Sequence, residues 1–297
     1  MIESKDFKKI TVMPQVTIYQ GILKNCDQIV KMIEEKQPVN SLFKPWEKWY
    51  EQGSKKVAIF SREEILVKEE DSEEIKKEKE HLFRMSEVYD FVRKDYLDEY
   101  EKEKGLWPKY VKDWDQVRRG QDPIDLNIYK YSIEKMDKNN RPDLSMDYHF
   151  DEMPTDADAK IEHFVVTITF YINDNYDGGE IRFFDEANNK AYKYKPKVGD
   201  VTVFPSSYPF YHGVSKILGA DRYFMRIFIV HKSEGEDWWL KEYKDKGSDF
   251  IDEQNAKRKK YIDDCLHNVT LVSPGEEPPN YINGKLVYIE NEIEEIK

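Results

Sequence analysis

Between residues 125 and 231 the chain runs as short β-rich segments broken by turn residues, and this spacing limits its folds more than any other feature. The segments are Leu126 to Tyr131, Phe164 to Ile172, Glu180 to Phe184, Val201 to Phe204 and Arg222 to Val230. Turn chemistry separates them at Asn139-Asn140, Asp177-Gly178-Gly179, Val198-Gly199-Asp200 and Leu218-Gly219. Many short strands at this spacing pack as a sandwich or a jelly-roll barrel.

The flanks read differently. Val16-Thr17-Ile18-Tyr19 is a strand, and Asn25 or Asp27 is placed to cap a helix carrying Ile29, Val30 and Ile33. A loop with Pro45 and Trp46 follows. From Ser72 to Lys104 the apolar residues Ile75, Leu82, Met85, Tyr89, Val92 and Tyr96 recur at helical spacing in a highly charged stretch. One narrow buried stripe on a long solvated helix is predicted, with the charge run as its wet face; a partner-binding helix is the alternative, since the stripe alone does not distinguish its own core from a neighbour's. The tail reads as a charged helix from Ser233 through Leu266. A hairpin then turns at Asn283-Gly284, between Tyr281-Ile282 and Leu286-Val287-Tyr288. The expected division is an N-terminal strand and helical support (1–124), a β core (125–232) and a C-terminal helix with hairpin (233–297), joined in one domain. The fold class is α+β with a mainly β core.

Composition narrows the function. A net charge of −12 argues against broad binding to nucleic acid or anionic membranes, which need a basic face. Cys26 and Cys265, the two cysteines, are far apart in sequence, so a disulfide scaffold is not expected and a reducing compartment fits. The opening MIESKDFKKITVMPQ carries no apolar signal region, and no stretch approaches the roughly 18 apolar residues of a membrane span. These features predict a soluble cytoplasmic protein.

Two of the six histidines stand where chemistry needs them. His149-Phe150-Asp151 ends a predicted strand, and i, i+2 spacing puts both side chains on one face. A histidine from a distant strand would complete a 2-His-1-carboxylate triad, and His212, ahead of Gly213, is the candidate. Taken alone, a His-x-Asp pair is common in an acidic chain. Arg222 opens an otherwise apolar strand ten residues after His212. A buried guanidinium needs an anion, and its planar fork fits a carboxylate. Arg226 shares its face, so the sequence leaves open which of the two is the anchor.

These residues, with Thr167-Ile-Thr-Phe-Tyr171-Ile-Asn173, Asp177-Gly-Gly-Glu180-Ile-Arg-Phe183, Val198-Gly-Asp200-Val-Thr-Val-Phe204-Pro205, His212-Gly-Val214 and Arg222-Tyr223, resemble the Fe(II)/2-oxoglutarate-dependent oxygenases in their prolyl-4-hydroxylase-like branch. The resemblance spans about residues 125 to 232 and implies a double-stranded β-helix, a jelly-roll variant. It implies that His149, Asp151 and His212 bind iron, and that Arg222 binds the C5 carboxylate of 2-oxoglutarate. Tyr171 would set its hydroxyl against that carboxylate, and Tyr131 would line the cosubstrate or substrate pocket. Gly178 and Gly179 read as turn glycines. The reaction it implies consumes O2, with ascorbate as a candidate reductant, and releases succinate and CO2 as a C–H bond is hydroxylated. The carboxylate at Asp151 points to hydroxylation over halogenation.

For substrate, the branch suggests a protein or peptide side chain, most simply proline. Arg182 and Arg226 suggest an acidic small molecule instead, and a nucleobase is disfavoured by the acidic charge. The stretch between Tyr131 and His149, with Lys138-Asn-Asn-Arg-Pro142, is longer than the family pattern and suits a substrate-covering loop. A reading from another class is a non-catalytic metal- or ligand-binding barrel whose long helix holds a partner.

Overall fold

The computed structural model describes residues 2, 4–34, 42, 49–52, 55–100, 126–131, 144–149, 151, 161–185, 190–206, 210–233, 245–246, 249, 269–271, 281–282 and 285–290. In chain order these form β1 (Lys8–Met13), β2 (Val16–Gln20), α1 (Cys26–Glu34), β3 (Trp49–Gln52), β4 (Lys55–Phe60), α2 (Arg62–Ile65), α3 (Glu73–Tyr100), β5 (Leu126–Tyr131), β6 (Leu144–His149), β7 (Ile161–Tyr171) and β8 (Asp177–Gly178). There follow β9 (Ile181–Asp185), β10 (Lys190–Tyr194), β11 (Val201–Pro205), β12 (Tyr211–Ser215), β13 (Ile217–Leu218), β14 (Arg222–Ser233), β15 (Val269–Leu271), β16 (Tyr281–Ile282) and β17 (Lys285–Glu290).

Two sheets form the core, as a double-stranded β-helix requires. The major sheet runs β1-β2-β11-β7-β14-β5-β4-β3 and the minor one β15-β17-β10-β9-β12-β6, with β16 on β17 and a small β8-β13 pair beside them. Neighbours in the major sheet are far apart in sequence, as where β7 lies between β11 and β14, which is the signature of a wound jelly roll and not a meander. The N-terminal region contributes four strands to the major sheet, where its sequence suggested one. Lys8–Met13 carries two lysines, and β3 reads Trp-Tyr-Glu-Gln, so neither segment shows clean alternation.

The long β7 and β14 explain how one sheet serves two purposes. Alternate residues of a strand face opposite ways. Ile168 and Phe170 of β7, with Met225 and Ile227 of β14, join Leu82, Met85, Tyr89, Val92 and Tyr96 of α3 and Ile29 of α1 in one apolar cluster. The predicted stripe of α3 thus packs on the chain's own sheet. Each such side chain taken from water stabilises the fold by roughly 1.5–3 kcal/mol. The opposite face of the same strands presents Thr167, Thr169, Tyr171, Arg222, Phe224 and Arg226 to a cavity between the sheets.

Local chemistry fixes the turns. Gly178 and Gly179 have φ of 67° and 70°, and a Cβ on Gly178 would lie 1.8 Å from the Lys216 carbonyl oxygen. Asn25 precedes α1 and its carbonyl accepts from Ile29 N–H, while its side-chain amide donates to the His81 carbonyl, tying α1 to α3. The expected hairpin is present, with Tyr281 opposite Leu286 and Ile282 opposite Lys285. The helix expected from Ser233 to Leu266 and the Lys138–Pro142 loop lie outside the described residues or mostly so. Among the described residues no helix is long and apolar enough to cross a membrane.

Candidate active site

Strand register assembles the site. β12 pairs antiparallel with β6 so that His212 lies opposite His149, and Asp151 follows just beyond the end of β6. Ligand atoms of His149, Asp151 and His212 lie within 4.8 Å of one another. His149 Nε2 is 3.4 Å from Asp151 Oδ1, and His212 Nε2 is 3.3 Å from Asp151 Oδ2. The imidazole rings are 4.4 Å apart. His212 Nδ1 faces the Phe210 carbonyl at 3.2 Å, and a carbonyl only accepts, so Nδ1 carries the proton and Nε2 offers its lone pair to the cluster. Phe204 packs edge-on against His212 at 4.6 Å, which limits rotation of the ring.

Asp151 is held from the other side. The buried Thr167 hydroxyl donates to Asp151 Oδ2 at 2.8 Å and accepts from Ser206 Oγ at 2.8 Å. Arg226 Nη1 donates to Asp151 Oδ1 at 3.4 Å. Burial alone would raise the Asp151 pKa, but His212, Arg226 and His149 together hold it well below the ordinary carboxylate range, so the group is anionic. Two neutral imidazoles and one carboxylate converging from two strands form the donor set suited to a divalent iron with open positions.

Arg222 also lines the cavity, 3% exposed and opposite Tyr131 in the β5-β14 ladder. Its guanidinium carbon lies 5.2 Å from the Tyr171 ring, 5.8 Å from that of Tyr176 and 5.1 Å from that of Phe224. Nε and Nη1 are buried with no hydrogen-bond partner. A buried cation whose donors point at no acceptor is costly unless an anion arrives. The arrangement fits a ligand carboxylate. Burial pushes the Tyr171 phenol up to about 12 and raises Tyr131 as well, with Arg222 working against both, so each remains a neutral hydroxyl. The Tyr171 hydroxyl takes a long contact from Thr202 Oγ1 at 3.4 Å.

The cavity therefore gathers Asp151, His212, Arg222, Tyr171 and Tyr131, with His149 beside them. It also separates the two arginines left equivalent by sequence: Arg226 is engaged by Asp151, whereas Arg222 stands apart with open donors. Arg182, by contrast, is buried on β9 against Ser215, at 2.7 Å, and is not among the cavity's lining residues. Sequence reasoning passed over Thr167 and Ser206. The signal was available in Thr167 and Thr169, polar residues on one face of a strand buried on both sides.

Residues 138–230 match the family model of the 2OG-Fe(II) oxygenase superfamily. A search of curated proteins gives no match. Among solved structures, a Pseudomonas putida prolyl-4-hydroxylase is 14% identical, covering 74% of this chain and 94% of its own, with a TM-score of 0.40. A Trichoplax adhaerens prolyl hydroxylase, solved with a peptide of the hypoxia inducible factor oxygen degradation domain, is 14% identical over 72% of this chain and 82% of its own, with a TM-score of 0.42. The Arabidopsis thaliana dioxygenase for auxin oxidation is 11% identical over 71% and 81%, with a TM-score of 0.44. The family match lies over the converging His, Asp and His side chains, so residues 138–230 are similar to the 2OG-Fe(II) oxygenase superfamily.

Proposed function

We propose that this chain hydroxylates an unactivated C–H bond, most simply in a protein or peptide side chain, with His149, Asp151 and His212 holding Fe(II) and Arg222 holding the distal carboxylate of 2-oxoglutarate. The observation that carries the reading is the pairing of the His-Asp-His cluster with a buried arginine whose Nε and Nη1 lack any acceptor. Bound together, iron and 2-oxoglutarate supply an oxidant from O2, with succinate and CO2 released.

The chain's own residues orient and insulate. Thr167 fixes Asp151 through Oδ2, and the Phe210 carbonyl sets the His212 tautomer. Tyr171 and Phe224 wall the Arg222 end with apolar surface, where low polarity strengthens a carboxylate–guanidinium contact. Tyr131 and Met146 line the same cavity. The carboxylate at position 151 occupies space that a halogenating enzyme would leave for chloride, so the expected product is hydroxylated. A chlorinated product from the intact protein would contradict this.

The test is anaerobic titration of Fe(II) and 2-oxoglutarate, followed by visible absorption, on the wild type and His212→Ala. A weak charge-transfer band that requires both ligands and is lost in the variant supports the assignment. A folded, iron-loaded wild type without the band overturns it and favours a non-catalytic barrel.

A further inference from the structure

Arg226 adds a charge that the chemistry proposed above leaves unbalanced. Among the described residues lining the cavity, the charged groups are Asp151, Arg222 and Arg226, one negative and two positive. The ligating histidines are neutral in a metal site. Adding a divalent metal and doubly charged 2-oxoglutarate contributes +2 and −2, so among these described groups one positive charge remains. Buried or half-buried charges of this kind are costly without a counter-ion.

Arg226 is the less enclosed of the two arginines. The Arg226 side chain is 17% exposed, whereas that of Asp151 is 4% exposed and Arg222 is almost wholly enclosed. Its guanidinium carbon lies 5.7 Å from the Tyr129 ring and 4.8 Å from that of Phe228, which hold it in place beside the metal ligands. Its contact to Asp151 is 3.4 Å, long for a charge-assisted bond, and its Nε is buried with no partner. A guanidinium so placed still has donors for a planar anion.

We propose that Arg226 is a specificity-determining residue that receives a carboxylate of the substrate, so that the bond oxidised belongs to a molecule acidic close to its reactive carbon. The assignment rests on the oxygenase reading above and commits to carboxylate chemistry. The carboxylate comes either from a free small acid or from an acidic residue of a peptide.

The experiment loads the full chain with Mn(II) and saturating 2-oxoglutarate, and both binding events are measured first. Paramagnetic relaxation of probe protons is then followed during titration. Acetate against acetamide represents a free acid. Acetyl-Gly-Asp-Gly-amide against its Asn counterpart represents a peptide. In the wild type, at least one acid should bind about tenfold tighter than its amide, the discrimination expected of one charge-assisted contact. A preference confined to acetate identifies a small acid, and tighter binding of the Asp peptide identifies a peptide. Arg226→Gln should abolish the preference and Arg226→Lys should restore part of it. A wild type that binds Mn(II) and 2-oxoglutarate yet treats acids and amides alike overturns this inference alone, as does a preference that survives in Arg226→Gln. A wild type that binds neither Mn(II) nor 2-oxoglutarate overturns the oxygenase reading and this inference with it.

Discussion

Replacing Arg222 with methionine should stabilise the metal-free protein while weakening its hold on 2-oxoglutarate. Arg222 is 3% exposed, is enclosed by the rings of Tyr171, Tyr176 and Phe224, and leaves two buried donor atoms without acceptors. A buried unsatisfied polar group costs about 1–3 kcal/mol, and an apolar side chain of similar length removes that cost while keeping the ring contacts. A net gain of about 2 kcal/mol is expected, which in a large domain raises Tm by roughly 4 °C. The ligand side moves the other way. Two charge-assisted hydrogen bonds to a carboxylate, lost together, amount to about 3 kcal/mol, or about 100-fold in Kd. Thermal unfolding of the metal-free protein and calorimetric titration of 2-oxoglutarate into the Mn(II)-loaded protein give the two numbers. A lower Tm with unchanged 2-oxoglutarate affinity would refute the reasoning, because it would mean that Arg222 already has an anionic partner within the chain.

Three further outcomes follow from contacts elsewhere. Thr167→Val removes the hydroxyl that donates to Asp151 while keeping the shape of the side chain, so Mn(II) affinity should fall by about tenfold in a metal titration; an unchanged affinity would mean that Thr167 does not hold the ligand. Leu82→Ala empties a fully buried position under α3 and should cost about 2–5 kcal/mol in urea unfolding, with a smaller loss pointing to collapse around the site. Asp71 accepts from the Lys79 ammonium and the Lys68 amide, and these bonds hold its pKa below the ordinary 3.8. A carboxylate with a depressed folded-state pKa stabilises above its unfolded value and loses that contribution as pH falls through the folded one. The urea midpoints of wild type and Asp71→Asn should therefore differ at pH 7 and converge below about pH 3.8, and a constant gap down to pH 2 would exclude the ion pair as the cause.

How much was legible in the sequence depends on the range of the interaction. Short strands with glycine turns, the α3 stripe and the His149–Asp151 spacing are local, because strand alternation, helical periodicity and positive φ act over a few residues. They sufficed to place the β core, and the His-x-Asp pair with a distant histidine was enough to suggest a triad. Tertiary structure decided what depends on register. His212 faces His149 because β12 pairs with β6, a contact 63 positions apart in the chain that no local pattern fixes. Register also put Arg226 against Asp151 and left Arg222 among aromatic rings, separating two arginines that sequence alternation makes equivalent. The strands of residues 8–13, 49–52 and 55–60 escaped notice because their backbone partners, and not the period of their own side chains, make them strands. Composition and spacing thus determined which residues the chain had available for chemistry; the pairing of distant strands determined which of them meet and which charge is left without a partner.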